Sequence, residues 1–154
     1  GRTSICLPPS QEEFANGYLS IIDKYGPSKI KYSAISTPTT LRDRFCSPVA
    51  RPNLNISVDG RVHSCSRSGI ANKFYFGKYN NENGDIVLDQ DTSDVLSKIN
   101  VDNFPECDVC FARYNCAGDC HDLREVGFSR CYINKAILFK LLQHELAKGG
   151  GIRE

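Results

Sequence analysis

The chain has 154 residues, 40% of them apolar, and carries 19 Lys+Arg against 18 Asp+Glu. That length fits one modest core, and no apolar run is long enough for a transmembrane helix. A formal net charge of +1 gives no electrostatic reason to expect nucleic acid or an anionic membrane as a partner. The chain contains no Met and opens with Gly1-Arg2, which reads as a piece of a longer protein. Its N-terminus lacks the charged and apolar regions of an export signal, so a cytoplasmic setting is expected.

In chain order, Pro8-Pro9 leads into Ser10, and Ser10 with Glu13 has the spacing of a capping box. Phe14, Tyr18, Ile21, Ile22 and Tyr25 then recur at helical spacing until Gly26-Pro27 ends the helix. Residues 30–35 alternate apolar and polar as a strand does, and 41–45 read as a short helical turn leading into Cys46. Residues 53–58 and 61–66 flank Asp59-Gly60, a two-residue hairpin signal with positive φ expected at both turn positions. Residues 73–79 read as an aromatic strand, 80–84 as a polar turn and 85–88 as another strand. Ser93 is placed to cap a short helix running to Ile99. The run from Cys107 to Cys120 contains Gly118 and little apolar periodicity, which predicts loops and turns wrapped around a ligand. Over 131–148 a helix presents Ile133, Ala136, Ile137, Phe139, Leu141, Leu142 and Leu146, and Gly149-Gly150-Gly151 stops it. The expected class is α+β: a small, irregular cluster-binding domain with a β-hairpin, short strands and flanking N- and C-terminal helices.

Eight cysteines admit a disulfide framework, structural zinc or iron-sulfur clusters. Disulfide scaffolds are usually shorter and spread their cysteines through the loops, whereas five of these eight fall within residues 107–131. The dense part reads Cys107-xx-Cys110, five residues, Cys116, three residues, Cys120, ten residues, Cys131. Ahead of it stand Cys46, thirteen residues, Gly60, four residues and Cys65. Two tetrahedral zinc sites would normally show two CxxC knuckles, and only Cys107/Cys110 has that spacing. Closely spaced cysteines on a loop suit a cube of iron and sulfide, because each thiolate approaches a different iron. Zinc stays open on spacing alone.

This pattern of seven cysteines and one placed glycine resembles the signature of the SPASM domain, the C-terminal module of many radical S-adenosylmethionine enzymes. The phrases Ile56-Ser-Val-Asp-Gly-Arg-Val-His-Ser-Cys65 and Cys110-Phe-Ala-Arg-Tyr-Asn-Cys-Ala-Gly-Asp-Cys120 share that family's wording. The resemblance covers residues 46–131 and implies two 4Fe-4S clusters. Cys46, Cys65 and Cys120 would hold the first, and Cys107, Cys110, Cys116 and Cys131 the second, with the chain crossing between sites at Cys120. Two-cluster ferredoxins have a comparable crossover. Family members with a fully protein-ligated first cluster carry an eighth cysteine in the stretch that corresponds to residues 47–64, where this chain has none. The first cluster is therefore expected to have an open iron, or to take Cys6, a carboxylate, a histidine or a substrate group. His63, His121 and His144 read as hydrogen-bonding or surface residues. Arg42, Arg44 and Arg51 flank Cys46 and would offset cluster charge, although a solvated polar loop accounts for them equally well.

The resemblance further implies an upstream radical SAM barrel in the same chain, a peptide or protein substrate and an external electron carrier. Residues 1–45 would bridge from that barrel, 46–148 would form the cluster domain and 149–154 a flexible tail. The cofactor-cleaving CxxxCxxC loop is absent: Cys116-xxx-Cys120 has the first gap, but Leu123 occupies the third position. The chain alone is expected to bind clusters without catalysis, with S-adenosylmethionine confined to the missing upstream domain. Aerobic preparation would let zinc replace the clusters. A zinc-stabilised binding module and a stand-alone ferredoxin-like carrier are the competing expectations.

Overall fold

Ser10 starts the first helix as its sequence spacing requires. The Ser10 hydroxyl accepts from the Glu13 amide at 3.1 Å, and the Ser10 amide donates to the Glu13 carboxylate at 2.8 Å. Helix α1 then spans Gln11–Tyr25 and ends at Gly26. The computed structural model describes residues 8–46, 53–66 and 74–149. Cys6, Arg51, Lys73 and the 150–154 tail lie outside them. The chain divides into two compact units, one formed by Gly1–Leu41 with Arg130–Glu154 and the other by Arg42–Ser129. Among the described residues no helix is long and apolar enough to cross a membrane.

In the first unit, α1 buries Ala15 and Ile22, two turns apart on one face. The C-terminal helix, here α5, spans Cys131–Ala147 and buries Ile133, Asn134, Ile137 and Leu138. The two helices pack together, and Lys140 reaches Asp23 at 2.6 Å. Buried Asn134 accepts a hydrogen bond from the Tyr32 hydroxyl at 3.1 Å. The apolar face expected for this helix is thus displaced: Leu138 is inside, whereas Phe139 and Leu146 are exposed. Residues 30–35 form turns and not a strand. Neighbouring Ala34 and Ile35 are both buried, which breaks the alternation a strand would need.

The second unit is built on a four-stranded antiparallel sheet in the order β1 (Asn55–Ile56), β2 (Arg61–His63), β3 (Tyr75–Tyr79), β4 (Ile86–Leu88). The hairpin signal is fulfilled with different turn chemistry. Gly60 donates to the Ser57 carbonyl at 2.9 Å and has φ 78°, whereas Asp59 keeps a negative φ. Val58, Asp59 and Gly60 therefore make a three-residue loop with glycine in the left-handed position, where a two-residue turn was expected. Between Val62 and His63 the register against β3 slips by one residue, a bulge at Phe76.

Helix α2 runs Gln90–Ser97 and starts three residues before Ser93, because the Asp89 carboxylate caps it by accepting from the Thr92 amide at 3.0 Å. Val62, Phe74, Phe76, Leu96 and Ile99 form the buried core of the unit. Residues 41–45 are irregular, not helical. Beyond the core come two 3₁₀ turns, Val101–Asn103 and Pro105–Cys107, and two short helices, α3 (Arg113–Cys116) and α4 (His121–Glu125). The fold is mixed α+β, with helices at both termini.

Candidate metal centre

Four of the seven cysteines in the pattern lie on one continuous series of turns. The Cys107 amide donates to the Phe104 carbonyl at 2.8 Å, and the Cys110 amide to the Cys107 carbonyl at 3.1 Å. Next, Arg113 donates to Cys110 at 3.0 Å and Cys116 to Ala112 at 2.8 Å. The 3₁₀ turn ends at Cys107, and the Cys107–Cys110 bond continues the tight turning of the chain. Arg113 clamps the outside of this loop through Asp102 at 2.5 Å and Asp108 at 3.1 Å.

Between Cys116 and Cys120 the chain takes a left-handed turn, with φ of 54° at Ala117, 81° at Gly118 and 65° at Asp119. For L-residues this costs about 1–2 kcal/mol each, a strain that collects where something specific holds the chain. A Cβ on Gly118 would stand 2.7 Å from the Phe104 ring. That ring lies 4.8 Å from the His121 ring and 4.3 Å beneath the Arg124 guanidinium, which is itself ion-paired with Glu106.

Arg42 joins this loop to Cys46. Its amide donates to the Tyr114 carbonyl at 2.7 Å, its Nε to the Asn115 carbonyl at 3.1 Å and its Nη1 to the Phe45 carbonyl at 3.3 Å. Burial pushes the Arg42 pKa down, and the nearby charges of Cys116, Cys46 and Asp119 push it back up. The half-buried guanidinium therefore lies within electrostatic reach of Cys116, Cys46 and the fully buried Asp119. Arg44 points elsewhere, bonding the Ser97 carbonyl at 2.5 Å.

Cys65 lies two residues past the end of β2, and both Cys65 and Cys46 pack against the Val62, Phe74, Phe76, Leu96, Ile99 core. The two residues before Cys65, His63 and Ser64, are buried and polar. Ser64 is 0% exposed, and its amide donates to the Phe74 carbonyl at 2.8 Å while its hydroxyl has no partner. His63 holds Nε2 at 3.5 Å from the Ser57 hydroxyl and leaves Nδ1 unsatisfied. Cys120 occupies the N-cap position of α4 without a side-chain cap bond, and Asp122, 2% exposed, has an Oδ1 with no hydrogen bond. Orphaned buried polar atoms are costly; Ser64 Oγ, His63 Nδ1 and Asp122 Oδ1 lie within two residues of Cys65 or Cys120, while Tyr18 Oη and Arg113 Nε lie elsewhere.

Cys46, Cys65, Cys107, Cys110, Cys116, Cys120 and Cys131 all stand as thiols. Cys46 and Cys65 share one core, Cys46 and Cys116 share Arg42, and Cys107 through Cys120 share one run of turns. Cys131 opens α5 in the other unit, and His144 lies 3.9 Å from Asp23 there. Among the described residues no three His, Cys, Asp or Glu side chains converge tightly enough for a single metal ion. A 4Fe-4S cube sets a different condition, since each thiolate caps its own iron and the ligands stand further apart than around one tetrahedral ion. Thiol donors, a half-buried cation and two unsatisfied polar atoms beside Cys65, the Ser64 hydroxyl and His63 Nδ1, fit such a group chemically.

Sequence reading missed Ser64, Asn115, Asp119 and Asp122. Their one visible signal was polarity next to cysteine, which a solvated loop also produces. No family model, curated protein or solved structure matches the chain.

Proposed function

We propose that this chain is the auxiliary cluster domain of a radical S-adenosylmethionine enzyme that modifies a peptide or protein. Cys46, Cys65 and Cys120 hold the first 4Fe-4S cluster, and Cys107, Cys110, Cys116 and Cys131 the second. The observation that carries this reading is the seven-cysteine pattern itself, and the half-buried Arg42 beside Cys46 and Cys116 supports it by supplying a positive charge where thiolates gather. When bound, such clusters supply one-electron transfer at a potential set by charge, burial and hydrogen bonds to sulfur. Around them Arg42 offsets thiolate charge, the Ser64 hydroxyl and His63 Nδ1 are the available donors, and the Cys107–Cys120 turns hold the sulfurs in place.

The barrel that cleaves S-adenosylmethionine would precede Gly1, and an external carrier would exchange electrons with the domain. A cytoplasmic setting suits a domain whose cysteines act as cluster thiolates. Anaerobic preparation followed by iron and sulfide analysis tests the reading. Content matching two clusters is expected, with Cys110→Ala losing the second and retaining the first. Colourless protein that holds only zinc, and that fails to take up iron and sulfide on reconstitution, overturns it.

A further inference from the structure

Resting on that reading, we propose that Asp122 is the fourth ligand of the first cluster, binding iron through Oδ1. Three thiolates leave one iron of that cube without a protein ligand, and residues 47–64 offer no cysteine to fill it. Asp122 stands two residues after Cys120, in the first turn of the helix whose N-cap position Cys120 occupies. It is 2% exposed, and Oδ1 has no hydrogen-bond partner. Carboxylates in so dry a place are paired or coordinate a metal.

The other acidic groups of this stretch have different engagements. Asp119 sits beside Arg42, Glu106 pairs with Arg124, and Asp102 and Asp108 pair with Arg113. The sign of the interaction separates Asp122 from the two orphaned donors near Cys65. A hydroxyl or an imidazole N–H can donate to cluster sulfur, whereas an ionised carboxylate only accepts. Beside an anionic, thiolate-bound cube it is repelled unless it binds iron, and a hard oxygen donor on one iron of four is chemically sound. Ligation thus removes the desolvation penalty of Oδ1 and completes the cube in one step. No electron moves: the ionised carboxylate donates a lone pair to iron.

The test uses the whole chain, reconstituted anaerobically, reduced and exposed to ¹³C-cyanide, with hyperfine coupling to the first cluster as the readout. The wild-type cluster should take up no cyanide, while Asp122→Ala and Asp122→Asn should both gain a cyanide-coupled signal. Asn keeps the size and one accepting oxygen of Asp but is a poor iron ligand, so its failure to substitute separates ligation from hydrogen bonding. Cyanide coupling in the wild type, or an Asp122→Asn cluster indistinguishable from it, overturns the assignment and leaves the two-cluster reading standing. Should Asp122→Ala lose the first cluster outright, Asp122→Cys decides. Regained loading at a more negative reduction potential supports ligation, since thiolate donates more electron density than carboxylate. No regained cluster, or an unchanged potential, refutes it. A chain that takes up no iron in any form overturns both the assignment and the reading beneath it.

Discussion

Replacing Gly118 with alanine tests whether the turn between Cys116 and Cys120 is as tightly constrained as its geometry indicates. Two penalties apply. Alanine at φ 81° costs about 1–2 kcal/mol. Its Cβ would also stand 2.7 Å from Cε2 and 2.8 Å from Cδ2 of Phe104. That ring is held between His121 and Arg124, so relieving the overlap means moving a packed side chain, for about 1–3 kcal/mol more. Together the cost is about 2–5 kcal/mol, a large share of a domain stability of about 5–15.

Gly127→Ala is the internal control. Gly127 has φ 75°, yet nothing lies within 4 Å of an added Cβ, so this variant meets the backbone penalty alone. Both variants lose the same unfolded-state freedom, and that effect cancels between them. With a urea slope of about 1–3 kcal/mol per molar, the extra overlap should lower the midpoint of Gly118→Ala by about 1 M relative to Gly127→Ala. Coincident midpoints would refute the argument that Phe104 is pinned.

Ser64→Ala should have opposite effects in two states of the protein. Without metal it removes a buried hydroxyl that has no partner, so stability is unchanged or rises, whereas in the cluster-loaded protein it should shift the first cluster to a more negative potential; an unchanged potential removes Ser64 from the proposed set of donors. Asp59 is held down at about 2 by hydrogen bonds from the Ser57 hydroxyl and the Arg61 amide. A depressed carboxyl stabilises fully above its ordinary 3.8, and its contribution fades as pH falls toward 2; carboxyl titration by NMR checks this, and an ordinary midpoint contradicts it. Leu96→Ala, at a fully buried position, should cost about 2–5 kcal/mol in denaturant unfolding, whereas exposed Val95→Ala should stay within about 0.5.

Local signals were legible in the sequence wherever one residue decides the outcome. Ser10 with Glu13 set the start of α1, Asp59-Gly60 marked the hairpin, and the polar 80–84 segment marked the turn before β4. Signals that needed a partner failed. Residues 30–35 have strand alternation, but Tyr32 bonds Asn134 on a helix and adjacent Ala34 and Ile35 turn inward together. Ser93 is a sound cap by composition, yet Asp89 reaches the helix amides first. The cysteine spacing pointed to the thiols and to the turns that carry them. It gave no access to the buried polar set around them, because Arg42 meets the loop 73 residues away in sequence.

The two proposed cluster sites would be assembled in physically different ways, and this bears on how each should fail. Cys107, Cys110 and Cys116 are carried by successive turns closed by local hydrogen bonds, so that part of the second site needs little from the rest of the unit. Cys46, Cys65 and Cys120 come from three separate stretches. Cys46 and Cys65 depend on the Val62, Phe74, Phe76, Leu96, Ile99 core, and Cys120 follows the strained turn whose Asp119 lies beside Arg42. Three buried orphan atoms, Ser64 Oγ, His63 Nδ1 and Asp122 Oδ1, flank Cys65 or Cys120, against Arg113 Nε within the Cys107–Cys116 turns. A site assembled over long range, and leaving its polar neighbours unsatisfied, has more to gain from its ligand and more to lose when the core loosens. Leu96→Ala should therefore deplete the first cluster before the second.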